Sequence, residues 1–201
     1  MKKFKFIIGI DEVGRGPIAG PVAVGTFVFL QKNAIKKFKK VKESKQLTEM
    51  QREKWFEIIE KARIEKHINF AVVFQSEKVI DKKGISFAIR KALEKSLKKL
   101  KLYPAQCLVL LDGGLKAPKE YKNQKTIIKG DVEKKVIALA SICAKVLRDR
   151  KMREWGKKYP KYGFEIHKGY GTRGHYEAIS KYGLVAIHRR SFLKDRILVD
   201  K

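Results

Sequence analysis

Three stretches of this chain that read as strands close on acids. IIGIDEVGRG (7–16) sets Asp11 and Glu12 side by side before a glycine–arginine–glycine turn, CLVLLDGG (107–114) runs into Asp112 and paired glycines, and KTIIKGD (125–131) ends in Asp131. Strand ends are where α/β sheets gather functional groups, because loops there vary around a rigid scaffold. Carboxylates converging from three strand ends repel one another and need a cation. Mg²⁺ or Mn²⁺ fits, since hard divalent ions take oxygen ligands. Each acid also has a plain structural role open to it. Asp131 could cap the helix that follows, and Asp112 before Gly113 could serve a turn. Asp11 and Glu12 resist such a reading, because adjacent strand residues point to opposite faces and a buried unpaired carboxylate is costly. Either the strand distorts there, or both acids sit at its very end and turn to a common ligand.

The elements that must position these acids can be read from periodicity. FKFIIGI (4–10), PVAVGTFVFL (21–30) and HINFAVVFQ (67–75) are rich in β-branched and aromatic residues and read as strands, as do 107–114 and the shorter 125–131. Thr48 with Gln51 three residues on is a capping box that opens a helix to about Lys66, with Trp55, Ile58, Ile59 and Ala62 on one face. Ser76 starts a short helix, and 86–100 forms a longer one with Phe87, Leu93, Leu97 and Leu100 near one stripe. A long helix runs from Val132 to about Lys158, ended by Pro160, and its small apolar middle, Ala138 to Ala144, suits tight packing on a sheet. Residues 31–47 read as a basic loop, and the Gly- and aromatic-punctuated remainder as short helices capping one side of the sheet. This order gives an α/β fold, a mixed sheet covered by helices.

Composition narrows the function classes. The chain has 201 residues, and 48 Lys plus Arg against 21 Asp plus Glu give a net charge of +27. Such a balance favours a polyanion, nucleic acid before an anionic membrane surface. At 44% hydrophobic the chain can bury a sizeable core, which excludes wholesale disorder. No apolar stretch approaches the ~20 residues that span a bilayer. MKKFKFIIGIDEV has an apolar run too short for a signal peptide, with acids where a cleavage site should follow. Cys107 and Cys143 sit in apolar surroundings and read as core residues, neither a disulfide nor a zinc site. A soluble, cytoplasmic, single-domain protein is the expectation.

DEVGRGP at 11–17, LLDGG at 110–114, KGD at 129–131, ASICAKVLRD at 140–149 and HKGYGT at 167–172 together resemble type 2 ribonuclease H, ribonuclease HII. HRRSF at 188–192 resembles the C-terminal signature of the bacterial members, so the matches run in order from residue 7 to 192. The resemblance implies a ribonuclease H-like fold: a mixed central β-sheet flanked by helices over about 1–158, and a C-terminal helical segment over about 159–201 that completes the substrate groove. It implies an endonuclease that hydrolyses the RNA strand of RNA/DNA hybrids. Cutting 5′ of single ribonucleotides in duplex DNA is implied too, with a role in ribonucleotide removal, replication and repair. By motif, Asp11, Glu12, Asp112 and Asp131 are the catalytic, metal-binding acids, and the resemblance decides between cap and ligand for Asp131. Two Mg²⁺ or Mn²⁺ ions ~4 Å apart would activate a water and stabilise the leaving 3′-oxygen, giving 5′-phosphate and 3′-hydroxyl ends. Asp149, within LRDRK, is expected to make a structural ion pair instead.

Recognition of the 2′-hydroxyl, which tells RNA from DNA, falls by the same resemblance to Gly14, Arg15, Gly16 and Tyr170. Glycines let the backbone approach closely, and a tyrosine ring can pack on the next sugar. Lys45, Lys145 and Lys168 are candidate phosphate contacts. The implied partners are RNA/DNA hybrids and ribonucleotide-containing duplex DNA. A monomer without membrane attachment is expected, and no residue identifies a replication-clamp partner. The chain departs from the family in places: Glu43 replaces Asp and Gln46 the second Lys of a DSKKL segment, and Gly171 stands where many bacterial members have Pro, which should loosen the loop at Tyr170. Rival readings are weaker. A type 3 ribonuclease H carries an extra N-terminal substrate-binding domain, for which a catalytic strand beginning near residue 4 leaves no room. A non-catalytic nucleic-acid-binding module would have lost at least one acid, and a general basic DNA binder with structural acids would show no metal-dependent cleavage.

Overall fold

A computed structural model describes residues 4–112, 114–126 and 131–193, without the side chains of 131–134. Five strands, β1 (Phe6–Val13), β2 (Val22–Phe29), β3 (Ile68–Gln75), β4 (Cys107–Leu111) and β5 (Gln124–Thr126), form one sheet in the order β3-β2-β1-β4-β5. β1, β2 and β3 are antiparallel neighbours, whereas β4 runs parallel to β1 and β5 parallel to β4. The helices are α1 (Glu49–Ile64), α2 (Glu77–Lys83), α3 (Ile85–Lys99), α4 (Asp131–Lys158), α5 (Phe164–His167) and α6 (Arg173–Tyr182). The sheet is mixed, as its sequence order implied. The expected strand over 125–131 is seen only as Gln124–Thr126; residues 127–130 lie outside the described ones, and Asp131 heads α4.

Alternation along the strands builds a core on each face. Ile8, Ile10 and Val24 pack against Ala88, Ile89, Ala92, Leu93 and Leu97 of α3. On the other face Phe27, Phe70 and Leu110 meet Phe56, Ile59 and Ala62 of α1 and Leu139, Ala140 and Cys143 of α4. Each large aliphatic buried this way contributes roughly 1.5–3 kcal/mol. Both cysteines are buried and free.

The capping box forms as read, with Gln51 N–H donating to Thr48 Oγ1 at 3.2 Å and Thr48 N–H to Gln51 Oε1 at 2.9 Å. The buried face of α1 is turned from the expected one, however, toward Phe56; Trp55 is only partly buried and Ile58 is exposed. Phe56 packs edge-on against Phe70 of β3 at 5.7 Å, and the 31–47 segment is no open loop. Its Phe38 and Leu47 are buried, and Phe38 takes up the Trp55 ring at 6.2 Å. In α3, Phe87 stays at the edge under the Arg90 guanidinium, while Ala88 and Ile89 face the core.

α4 lies unusually close to the sheet. A Cβ on Gly9 would fall 2.2 Å from the carbonyl carbon of Val136, and one on Gly25 would fall 2.3 Å from the Ala140 oxygen. Both contacts are with helix backbone, which cannot swing aside. The C-terminal segment, expected to cap one side of the sheet, does so only through Phe192 and otherwise forms a separate cluster. Tyr162, Phe164, Ala178 and Ile187 pack on Met152 of α4 and on Ala19. Gly25→Ala should therefore destabilise the protein by roughly 1–3 kcal/mol, the range of overpacked cores. Urea unfolding of the metal-free protein checks this.

Candidate active site

Neither arrangement expected for the adjacent acids occurs. β1 runs on undistorted past them to Val13, with Asp11 opposite Gly25 and Glu12 opposite Val24 of β2. What ends is the other neighbour: β4 stops at Leu111, the partner of Ile10. From Asp11 onward β1 has a strand on one side only, so side chains from both of its faces reach the same opening. Asp112 follows at once, its N–H reaching toward the Ile10 carbonyl at 3.4 Å. The three acids line one open cleft of about 470 Å³, and Gly14, Arg15, Gly16, Lys45, Lys145 and Tyr170 line it with them. The side chain of Asp131 lies outside the described residues.

Burial drives the Asp11 carboxyl up to about 6, and the nearby Glu12 and Asp112 charges add to it, against a hydrogen bond from Ser141. Burial likewise raises Glu12, opposed by its own backbone N–H and by Arg15, whose guanidinium is 3.6 Å away. Ser141 stands on α4, where the glycine-permitted approach brings the helix down beside Asp11. Its hydroxyl also meets that of Ser44 at 2.7 Å. Arg52 of α1 in turn donates to the Ser44 carbonyl at 3.1 Å, fixing the segment that carries Lys45 along the cleft. Ser44, Arg52 and Ser141 went unnoticed as site residues. Ser141 and Ser44 had a signal, their places inside the 140–149 motif and the 43–47 segment; Arg52 had none.

The lysines divide. Lys45 is exposed on the cleft. Lys145 reaches the cleft, but its ammonium is 2.8 Å from Asp149 four residues on. Asp149 is thus in an ion pair, with a lysine rather than the flanking arginines. The structure does not bring Lys168 to the cleft. That residue is buried, and its ammonium turns to the Glu165 carbonyl and, at 3.4 Å, to Glu49.

Beneath the glycine–arginine–glycine turn lie two fully buried arginines, Arg148 and Arg189. Gly14 has φ +90°, and a Cβ there would fall 2.2 Å from Arg148 Nε. Only glycine both accepts that backbone and leaves the guanidinium its seat. Arg148 donates to the carbonyls of Pro21 at 2.9 Å and Lys168 at 3.0 Å, tying the chain just before β2 to the loop that carries Tyr170. That loop is braced despite Gly171, since the Tyr170 carbonyl accepts from Thr172 N–H at 2.9 Å and from the His175 ring at 2.8 Å.

The family model described as ribonuclease HII matches residues 8–195. The chain belongs to the ribonuclease HII family. The ribonuclease HII of Caldicellulosiruptor bescii is 46% identical over 192 residues, 96% of this chain and 88% of that protein. That of Acetivibrio thermocellus is 45% identical, covering 97% of this chain and 72% of the relative. Among solved structures, the ribonuclease H2 of Pyrococcus horikoshii superposes with a TM-score of 0.67 at 26% identity, covering 92% of this chain and 93% of its own. The ribonuclease HII of an Archaeoglobus fulgidus complex with PCNA shares the fold, with a TM-score of 0.73 at 22% identity and 97% of each chain covered. The protein is therefore a ribonuclease H-type endonuclease, a hydrolase acting on RNA/DNA substrates. No helix among its described residues is long and apolar enough to cross a membrane.

The donor set suits a hard divalent cation. Asp11, Glu12 and Asp112 offer only carboxylate oxygens on an open cleft, where water can complete a coordination shell. Among the described residues, no three Asp, Glu, His or Cys side chains close tightly enough to enclose an ion by themselves. Crowded acids with little protein counter-charge cost stability, and the sign is definite. Asp11 titrates near 6 when folded against 3.8 for the free side chain, so its ionised form disfavours folding above about pH 6, and that penalty vanishes below about pH 4. Asp11→Asn should raise metal-free stability at pH 7.5 by about 1–3 kcal/mol, with no gain at pH 3.5. Denaturant melts in EDTA at the two pH values test this.

Proposed function

We propose that the protein cuts the RNA strand of RNA/DNA hybrids, and nicks duplex DNA 5′ of single ribonucleotides, leaving 5′-phosphate and 3′-hydroxyl ends. The observation that carries this reading is one cleft shared by Asp11, Glu12 and Asp112, the 14–16 turn and Tyr170. In this reading phosphate chemistry stands beside a device for testing a sugar.

In this reading Asp11, Glu12, Asp112 and Asp131 hold a pair of Mg²⁺ or Mn²⁺ ions. Such ions, when bound, supply Lewis acidity at the phosphate and a water of lowered pKa. Ser141 keeps Asp11 aimed into the cleft through their hydrogen bond. The backbone of Gly14, Arg15 and Gly16 reads the 2′-hydroxyl at the cut. Tyr170, 46% exposed, packs its ring on the following sugar and favours one without a 2′-hydroxyl. Lys45 meets a substrate phosphate, and Lys145 does so only by sharing its ammonium with Asp149. The wider excess of Lys and Arg holds the duplex, giving binding that weakens steeply with salt. Ribonucleotide removal during DNA replication and repair follows as the cellular role, performed by a monomer in the cytoplasm.

The test is a DNA duplex bearing one ribonucleotide, incubated with protein and Mg²⁺ or Mn²⁺, with the nick mapped at nucleotide resolution. Wild type should cut immediately 5′ of the ribonucleotide. Asp11→Asn should lower the rate by at least ~10³-fold, the scale of losing transition-state charge stabilisation; an undiminished cut would remove the metal assignment. Tyr170→Ala should lose most of the preference for a ribonucleotide followed by DNA over a uniform hybrid, measured as a ratio of kcat/KM values.

A further inference from the structure

The HRRSF stretch (188–192) stands apart from the cleft, yet its first two side chains are buried almost completely, His188 at 2% and Arg189 at 0% exposure. A buried guanidinium is expensive to desolvate, and burial holds Arg189 down to about 9. Its charge is met by carbonyls. Nε donates to Gly20 O at 2.8 Å, Nη1 to Arg15 O at 3.0 Å and Nη2 to Gly14 O at 2.6 Å. The last two belong to the glycine–arginine–glycine turn. No peptide among the described residues is cis. In a planar trans peptide the N–H points opposite the C=O. With the Gly14 and Arg15 carbonyls drawn inward, the N–H groups of Arg15 and Gly16 face out on the cleft side, where both residues are exposed.

His188 acts on the other half of the sugar-sensing pair. Val185 N–H donates to its Nδ1 at 2.9 Å, so that nitrogen is an acceptor and the proton sits on Nε2. The Val185 carbonyl, 3.2 Å from the same nitrogen, already takes His188's own N–H at 3.0 Å. Nε2–H then donates to His175 Nε2 at 3.1 Å, which leaves the His175 proton on Nδ1, donating to Tyr170 O at 2.8 Å. Burial presses both rings down to about 4, so each stays neutral and this one-way chain holds at neutral pH. The backbone joins the two branches: Arg189 N–H donates to Ile18 O at 2.8 Å, and Ile18 N–H to Gly169 O at 2.9 Å.

We infer that His188 and Arg189 are positioning residues for sugar recognition: Arg189 turns the Arg15 and Gly16 N–H groups toward the nucleotide, and His188, through His175, fixes the backbone of Tyr170. The inference rests on the proposed reading of the cleft and names what sets its specificity. One dipeptide governs both halves, so the spacing between them is set from a single point.

Arg189→Lys keeps the charge but cannot hold three carbonyls in a fork, and His188→Gln keeps a polar group but breaks the relay. Both are assayed on a duplex with one ribonucleotide and on a uniform RNA/DNA hybrid, beside ¹H–¹⁵N spectra and an Arg190→Lys control. Arg189→Lys should lower kcat on the single-ribonucleotide duplex about 10- to 100-fold, the scale of a misplaced contact, with KM within about 3-fold. Its amide shifts should concentrate at Arg15 and Gly16. His188→Gln should lower the preference for the single ribonucleotide over the uniform hybrid about 10-fold, with shifts at Tyr170. Equal losses on both substrates, accompanied by spectral change across the protein or loss of a folded spectrum, would mean general structural support and overturn the inference. If wild type discriminates and both variants match it, the inference alone fails. If wild type cuts ribonucleotide-free DNA as readily as the ribonucleotide duplex, the reading of the cleft fails and takes the inference with it.

Discussion

The approach of α4 to β1 and β2 is the constraint on which the rest of the site depends. Gly9 and Gly25 remove the side chains that would hold the helix off the sheet, so helix backbone lies on strand backbone. That contact sets Ser141 beside Asp11 and, two turns along, seats Arg148 under Gly14. A helix standing one methyl group farther out would lose both. The acids and the glycine–arginine–glycine turn are thus located by one packing distance, not by separate local choices.

Charge is used in two distinct ways. Most basic residues are solvated and serve as a diffuse field for a polyanion. Arg148 and Arg189 instead lie inside and satisfy backbone carbonyls, drawing three chain segments around the turn. The acids show the opposite imbalance. Asp11 and Glu12 lie in a chain of net charge +27, yet their main nearby protein cation is the exposed Arg15. At the acids the charge is left largely unmet by the chain itself, at a cost in stability. At the turn, desolvation of two guanidinium groups is accepted in exchange for a fixed backbone.

Geometry at the end of β4 resolves how neighbouring strand residues can share a cleft. Loss of one sheet neighbour exposes the edge of β1, so alternation no longer separates Asp11 from Glu12 by a layer of sheet. Reasoning from alternation alone required a distorted or terminated strand. It omitted that a strand can keep one partner while losing the other.

The sequence by itself determined the strands and helices, the capping box at Thr48, the buried cysteines, and the acids and turn that mark the family. These follow from local propensity, periodicity and motif, all written in neighbouring residues. It also separated Asp149 from the site, although the partner is Lys145 and not an arginine. Tertiary structure alone decided which face of α1 is buried, that Lys168 turns to Glu49 and away from the cleft, that Arg189 lies beneath the glycine–arginine–glycine turn, and that His188 is linked through His175 to Tyr170. Those facts depend on contacts between residues distant in the chain: Arg189 meets Gly14 across 175 positions. No local pattern encodes such a pairing, because it exists only once the sheet, α4 and the C-terminal cluster have packed.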